Sequence, residues 1–173
     1  MIRRGSDNWN EKEEVKKGNI GENIVFNYLY NSGYTVYRPV TEGPHLFDNL
    51  CVSRDKRTIF IAEVKTKEPR KYYPDTGIDI RSYQEYKFVE NKYNLHVYLF
   101  FVDAANRKVY GNFLRRLETP KAEGKYSYPL QQGGIIYFPL SSMTLISELT
   151  AEEAEEIKKH NTKNYDGAWS FDC

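Results

Sequence analysis

The sequence predicts an α/β fold in which a mixed β-sheet, an antiparallel meander plus a parallel crossover strand, is flanked by helices. Three observations carry this reading. Segments of helical and strand character follow one another in the order helix, three strands, helix, strand. The runs "TIFIAEVKTK" and "HVYLFFVD" are apolar on both of their alternating faces, or nearly so, as strands covered on two sides are. The chain has 173 residues, 40% of them hydrophobic and 15% aromatic, which suits one domain, 1-173, with a real core.

The polar opening to about Lys17 reads as an arm or a frayed first helical turn. "NIGENIVFNYLYNSGY" then reads as a helix, with Asn19 as its N-cap and Gly33 as its C-cap. Three strands follow: "YTVYRPV", "LFDNLCVS" and "TIFIAEVKTK", the last two joined by the turn-like "RDKR". "EPRKYYPDTGID" reads as a loop and "SYQEYKFVENKYN" as a second helix, where Ser82 and Glu85 have capping-box spacing. "HVYLFFVD" is a buried strand and "RKVYGNFL" its hairpin partner. Consecutive strands tend to be neighbours and a helical crossover is right-handed, so the strand after the second helix is expected to join the meander in parallel. This core covers about 18-113. In the extension, 114-173, "GIIYFPLSSM" suggests a further strand and "TAEEAEEIKKH" a capped, solvated helix.

Composition narrows the function classes. "MIRRGSDNWN" lacks the apolar run of a signal peptide, and no segment approaches the roughly 20 apolar residues of a membrane span, so a soluble, intracellular, cytoplasmic protein with no membrane partner is expected. Cys51 and Cys173 make neither a disulfide framework nor a zinc ligand set, and His45, His96 and His160 are scattered in the sequence. The net charge of +1 gives no global pull on nucleic acid, yet seven Lys/Arg lie between Arg54 and Lys71 against Asp55, Glu63 and Glu68. A polyanion would prefer that region.

The chemistry concentrates at the end of "IFIAEVKTK". The pattern E-x-K occurs also at Glu14, Glu85, Glu90, Glu123 and Glu156, but only Glu63 and Lys65 fall on a strand, where residues two apart share a face. That face also carries Ile59 and Ile61. In the preceding strand Asp48 shares a face with Leu46, Leu50 and Val52. A turn symmetric about Asp55 and Lys56 pairs Val52 with Ile59, Leu50 with Ile61, and Asp48 with Glu63. Directly opposed carboxylates repel, and one lysine against two acids leaves a net negative charge that a protein interior tolerates poorly. A divalent cation removes the conflict, and hard oxygen ligands suit magnesium or manganese.

These residues resemble the PD-(D/E)XK nuclease superfamily, whose restriction-endonuclease-like core has this same order of elements; the resemblance covers roughly 18 to 112. It implies metal-dependent hydrolysis of DNA, with Asp48 and Glu63 holding Mg2+ (or Mn2+), the Val64 backbone carbonyl adding a ligand, and Lys65 acting on the attacking water or the developing phosphorane charge. The usual proline before the aspartate is missing, since "GPHLFD" puts Pro44 four positions earlier. Related nucleases often carry a first-helix glutamate near the metal, and Glu22 is placed for that role; Asn19 and Glu22 also have capping-box spacing, and both readings stay open. The helix after the strand matches the family's "YQEYK"-like segment, so Gln84 or Lys87 would reach the phosphate, solvated helix residues being the plainer alternative. Lys67, Arg70, Lys71, Tyr72 and Tyr73 follow the site directly and would track a phosphate backbone and stack on bases, a polar loop being the equally good alternative.

The expected activity is thus that of an endodeoxyribonuclease, structure- or end-directed because the chain is short for a large recognition domain. RNA stays open as a substrate, and cutting both strands of a duplex needs two sites, hence a homodimer. The rival is a catalytically silent nuclease-fold module that binds nucleic acid or serves in assembly.

Overall fold

The structure, a computed structural model, describes residues 12–40 and 45–161. Pro44 and Cys173 lie outside the described residues. The first helix, α1 (Glu13–Asn31), leads through a turn into β1 (Thr35–Tyr37), β2 (Asn49–Val52) and β3 (Ile59–Thr66). A short strand β4 (Asp75–Asp79) runs straight into α2 (Ile80–Tyr93), followed by the hairpin β5 (His96–Asp103) and β6 (Lys108–Phe113). Beyond it come a single turn α3 (Leu114–Leu117), strands β7 (Lys121–Glu123), β8 (Tyr126–Tyr128), β9 (Leu130–Gln132), β10 (Ile135–Pro139) and β11 (Thr144–Glu148), and helix α4 (Ala151–Lys159).

The main sheet has six strands in the order β1-β2-β3-β5-β6-β11. Only β3 and β5 pair in parallel, with Glu63 beside Leu99 and Lys65 beside Phe101; the other pairs are antiparallel. This is the mixed sheet expected from the sequence. Its pleat sends Phe60, Ala62, Val64, Phe100 and Val102 into a core under α1 and α4, and Ile61, Leu99 and Phe101 into a second core under α2. The second core is closed by a small sheet of order β4-β10-β9, through Ile78, Ile136 and Phe138.

Several local expectations are corrected. Helix α1 begins at Glu13, after Lys12, so Asn19 is not its N-cap but an interior residue, and Glu22 is released from any capping role. Its end is as expected: Gly33, at φ +83, takes the left-handed turn, and the Tyr34 amide donates back to the Leu29 carbonyl at 3.0 Å. Helix α2 starts at Ile80 rather than Ser82, so Ser82 and Glu85 form no capping box. The stretch read as a loop from 68 to 79 ends in a strand, because β10, distant in sequence, supplies the hydrogen-bond partners of β4. Helix α4 has the Thr150–Glu153 capping box its sequence advertises, but it is half-buried: Ala154 and Ile157 pack in the same cluster as Val25 and Leu29 of α1. No described helix is long and apolar enough to cross a membrane.

One close approach sets the site. Gly21 of α1 lies against Thr66 at the end of β3, where a Cβ would fall 1.9 Å from the Thr66 hydroxyl oxygen. The missing side chain lets α1 settle on the strand's last residues and brings Glu22 alongside the charges of β3.

Candidate metal centre and nucleic-acid surface

The register of β2 on β3 pairs Val52 with Ile59 and Leu50 with Ile61, and ends with Asn49 opposite Ala62. Asp48 is therefore the residue just before the strand. Its carboxylate turns onto the β3 backbone, where Oδ2 accepts the Val64 N–H at 2.6 Å. The other oxygen, Oδ1, lies 3.1 Å from His45 Nε2, a hydrogen bond when that nitrogen carries the proton.

Glu63 is 4% exposed. Its Oε1 accepts from Lys65 Nζ at 2.7 Å and from the Tyr86 hydroxyl, while its Oε2 is buried with no hydrogen-bond partner. Tyr86, on the buried face of α2, was not singled out from the sequence; the signal available was an apolar-face tyrosine whose hydroxyl must find an acceptor. The Lys65 ammonium lies 5.8 Å from the centre of the Tyr86 ring.

Charge in this region is unbalanced. Burial raises the pKa of Glu22, of Asp48 and of Glu63; the charge of Glu22 raises Asp48 further, and that of Asp48 raises Glu63. Burial pulls Lys65 down, but the negative charges of Glu63, Asp48 and Glu22 outweigh it and leave the ammonium held above its ordinary range. Lys65 thus feels three carboxyls, and the charges of His45 and Arg38 act on Glu22 as well. One oxygen each of Glu22 and Asp48 and one His45 ring nitrogen all lie within 4.8 Å of one another. His45 is the member that reading the histidines as scattered overlooked; its spacing of three from Asp48 was the available signal. Arg38 steadies the helix side of the site, donating to the Glu22 carbonyl at 3.0 Å and to Asn23 Oδ1 at 2.7 Å, with its guanidinium over the Phe26 ring.

The other residues singled out from the sequence separate into two groups. Lys71 and Tyr72 are exposed at the tip of the segment after β3, the ammonium over the ring. Arg70, in contrast, is held from within: it donates to both oxygens of buried Asp75, at 2.7 and 2.5 Å, and to Gln132 Oε1 at 3.0 Å, between the rings of Tyr73 and Tyr137. Tyr73 packs against Tyr126. Lys67 donates to the Gly77 carbonyl at 2.9 Å, and burial lowers its pKa. Lys87 is tied to Glu118 and Glu90 at 2.8 and 3.1 Å, and Gln84 is exposed on α2 away from the buried Tyr86 face.

No family model matches the sequence, and no curated protein matches it significantly. Among solved structures the chain is similar to Hjc, a Holliday junction resolvase from the archaeal hyperthermophile Archaeoglobus fulgidus, with a TM-score of 0.53 at 15% identity over 79% of this chain and 99% of that one. At that identity the likeness is one of fold: the mixed sheet with its flanking helices is arranged as in that structure.

Proposed function

We propose that the chain is a metal-dependent nuclease that hydrolyses phosphodiester bonds of DNA as a structure- or end-directed endonuclease. The observation that carries this reading is the buried carboxyl of Glu63, one oxygen of which has no partner, beside Asp48 and Glu22 in a site with a single lysine. A structural ion pair would satisfy both oxygens. This donor set of hard oxygens fits a divalent cation: Asp48, Glu63 and Glu22, with the Val64 carbonyl, would hold Mg2+ or Mn2+. When bound, such an ion polarises the scissile phosphate and acidifies water.

The chain's own groups have separable tasks. Val64 N–H and Tyr86 fix the orientations of Asp48 and Glu63. Lys65, kept protonated by the surrounding acids, offers an ammonium to the nucleophile or to the charge that builds on the phosphate. Lys71 and Tyr72 stand free to meet a phosphate and a base, while Lys67, Arg70 and Tyr73 hold that segment in place. Lys87 and Gln84 remain candidates for the substrate's outer reach, and two-strand cutting calls for two copies of the chain.

The test is cleavage of labelled four-way, flap, duplex and single-stranded DNA, and of single-stranded RNA, with Mg2+ and with chelator. The expected outcome is Mg2+-dependent cutting with a preference for a branched or end-bearing DNA. Binding without cleavage under every metal would leave the silent-module reading in its place.

A further inference from the structure

We infer that His45 is a nitrogen ligand of the metal centre, so that the centre prefers a divalent first-row transition ion such as Mn2+ to Mg2+. This rests on the nuclease reading of the same centre and concerns which ion that centre selects. Two independent features support it. Glu22, His45 and Asp48 converge, each presenting one ligand atom within 4.8 Å of the other two, although they come from a helix and from the segment leading into β2. On β3, one residue before the Val64 N–H that binds Asp48, Glu63 carries a buried polar atom that the protein leaves unanswered, its Oε2; the Glu63 charge acts on Glu22, and the Asp48 charge acts on Glu63. A cation is the group that answers both.

The ligand chemistry then decides the ion. Mg2+ demands oxygen donors and gives up water reluctantly, whereas transition ions accept imidazole readily. His45 has two attributes of a ligand held in readiness. Its Nε2 is already placed by Asp48, and its side chain is 30% exposed, so the ring exchanges one partner for another without rearranging the core. The pairing of His45 with Asp48 also accounts for their spacing of three residues just before the strand, which places both at the end of β2 nearest Glu63.

The experiment uses the metals alone as probes: calorimetric titration of wild type, His45→Ala and Asp48→Asn with Mn2+ and with Mg2+, and pulsed electron paramagnetic resonance of the Mn2+-loaded proteins. The expected result is that His45→Ala loses about tenfold or more of Mn2+ affinity, in the range seen when groups around a metal are removed, keeps its Mg2+ affinity, and loses the nitrogen modulation that wild type shows. An Mn2+ affinity and nitrogen signal unchanged in His45→Ala, with both metals lost in Asp48→Asn, overturns the assignment of His45 and leaves the nuclease reading standing. Unchanged affinities in both variants overturn the two together. Because His45 is exposed, its alanine variant is expected to melt as wild type does, which keeps the comparison one of binding.

Discussion

Glu63 and Asp75 are both carboxylates sealed from water, at 4% and 0% exposure, and the protein treats them in opposite ways. Asp75 has every oxygen answered: Arg70 donates to both, and the Tyr128 hydroxyl adds a third bond at 2.7 Å. One charge meets one charge, with aromatic rings on either side of the guanidinium. Among the described residues, the ammonium that meets Glu63, that of Lys65, also feels Asp48 and Glu22, and one Glu63 oxygen stays unanswered. The first arrangement is complete as it stands and holds the small sheet to the segment after β3. The second leaves a buried carboxylate oxygen unanswered, which is the contrast on which the proposed metal centre rests.

Breaking the complete pair has the largest expected effect. Asp75→Ala leaves Arg70 and Tyr128 without their acceptor and is expected to cost about 3 to 5 kcal/mol, measured by urea unfolding. Asp48→Asn, by comparison, removes one of the mutually repelling charges and is expected to change stability without metal by about 1 kcal/mol or less. A loss as large as that of Asp75→Ala would show that the acids of the centre are structural after all.

Adding metal sharpens the contrast. At about one hundred times its dissociation constant, Mg2+ or Mn2+ is expected to stabilise wild type by about 2.7 kcal/mol and Asp75→Asn by the same increment relative to its own metal-free state. Asp48→Asn is expected to gain little. Equal gains in wild type and Asp48→Asn, read from melting curves, would place the ion elsewhere.

The close approach of α1 to β3 comes next. Gly21→Ala is expected to cost about 1 to 3 kcal/mol through overpacking against Thr66, and combining it with Thr66→Ala is expected to recover part of that loss. Additive losses in the double variant would mean that the two residues do not meet.

The smallest effects on stability are expected at the exposed tip, where Lys71→Ala and Tyr72→Ala should stay within about 0.5 kcal/mol of wild type. Their effects on DNA differ from each other. Lys71→Ala should flatten the logarithmic salt dependence of duplex binding by about 0.9. Tyr72→Ala should weaken single-stranded or distorted DNA by about 1 to 3 kcal/mol and leave the slope alone. Arg70→Ala should instead show itself in unfolding, because its guanidinium is committed to Asp75.

The sequence revealed what local rules govern. Alternation along β3 and a symmetric turn placed Glu63 and Lys65 on one face and brought Val52 and Leu50 to their partners, so the strand register beneath the candidate centre was legible, with β2 ending one residue short of Asp48. It did not reveal what long-range contacts decide. Strand β4 exists because β10 pairs with it, and Arg70 is an internal clamp because Asp75, Gln132 and Tyr137 surround it. A basic residue in a polar loop gives no sign of such commitment. Tyr86 was missed for a related reason, since it meets Glu63 only after the chain has folded back, from 23 residues beyond it, whereas His45 was missed although it lies only three residues before Asp48.

The most direct measurement follows one protein pair through two readouts: single-turnover cleavage of labelled DNA across a Mg2+ titration, and melting without metal, for wild type and Glu63→Gln. Wild type is expected to cleave only with the ion, and Glu63→Gln is expected not to cleave while melting close to wild type. Cleavage that survives Glu63→Gln, or activity that disappears only because the variant no longer folds, would contradict a metal-dependent centre built on Glu63.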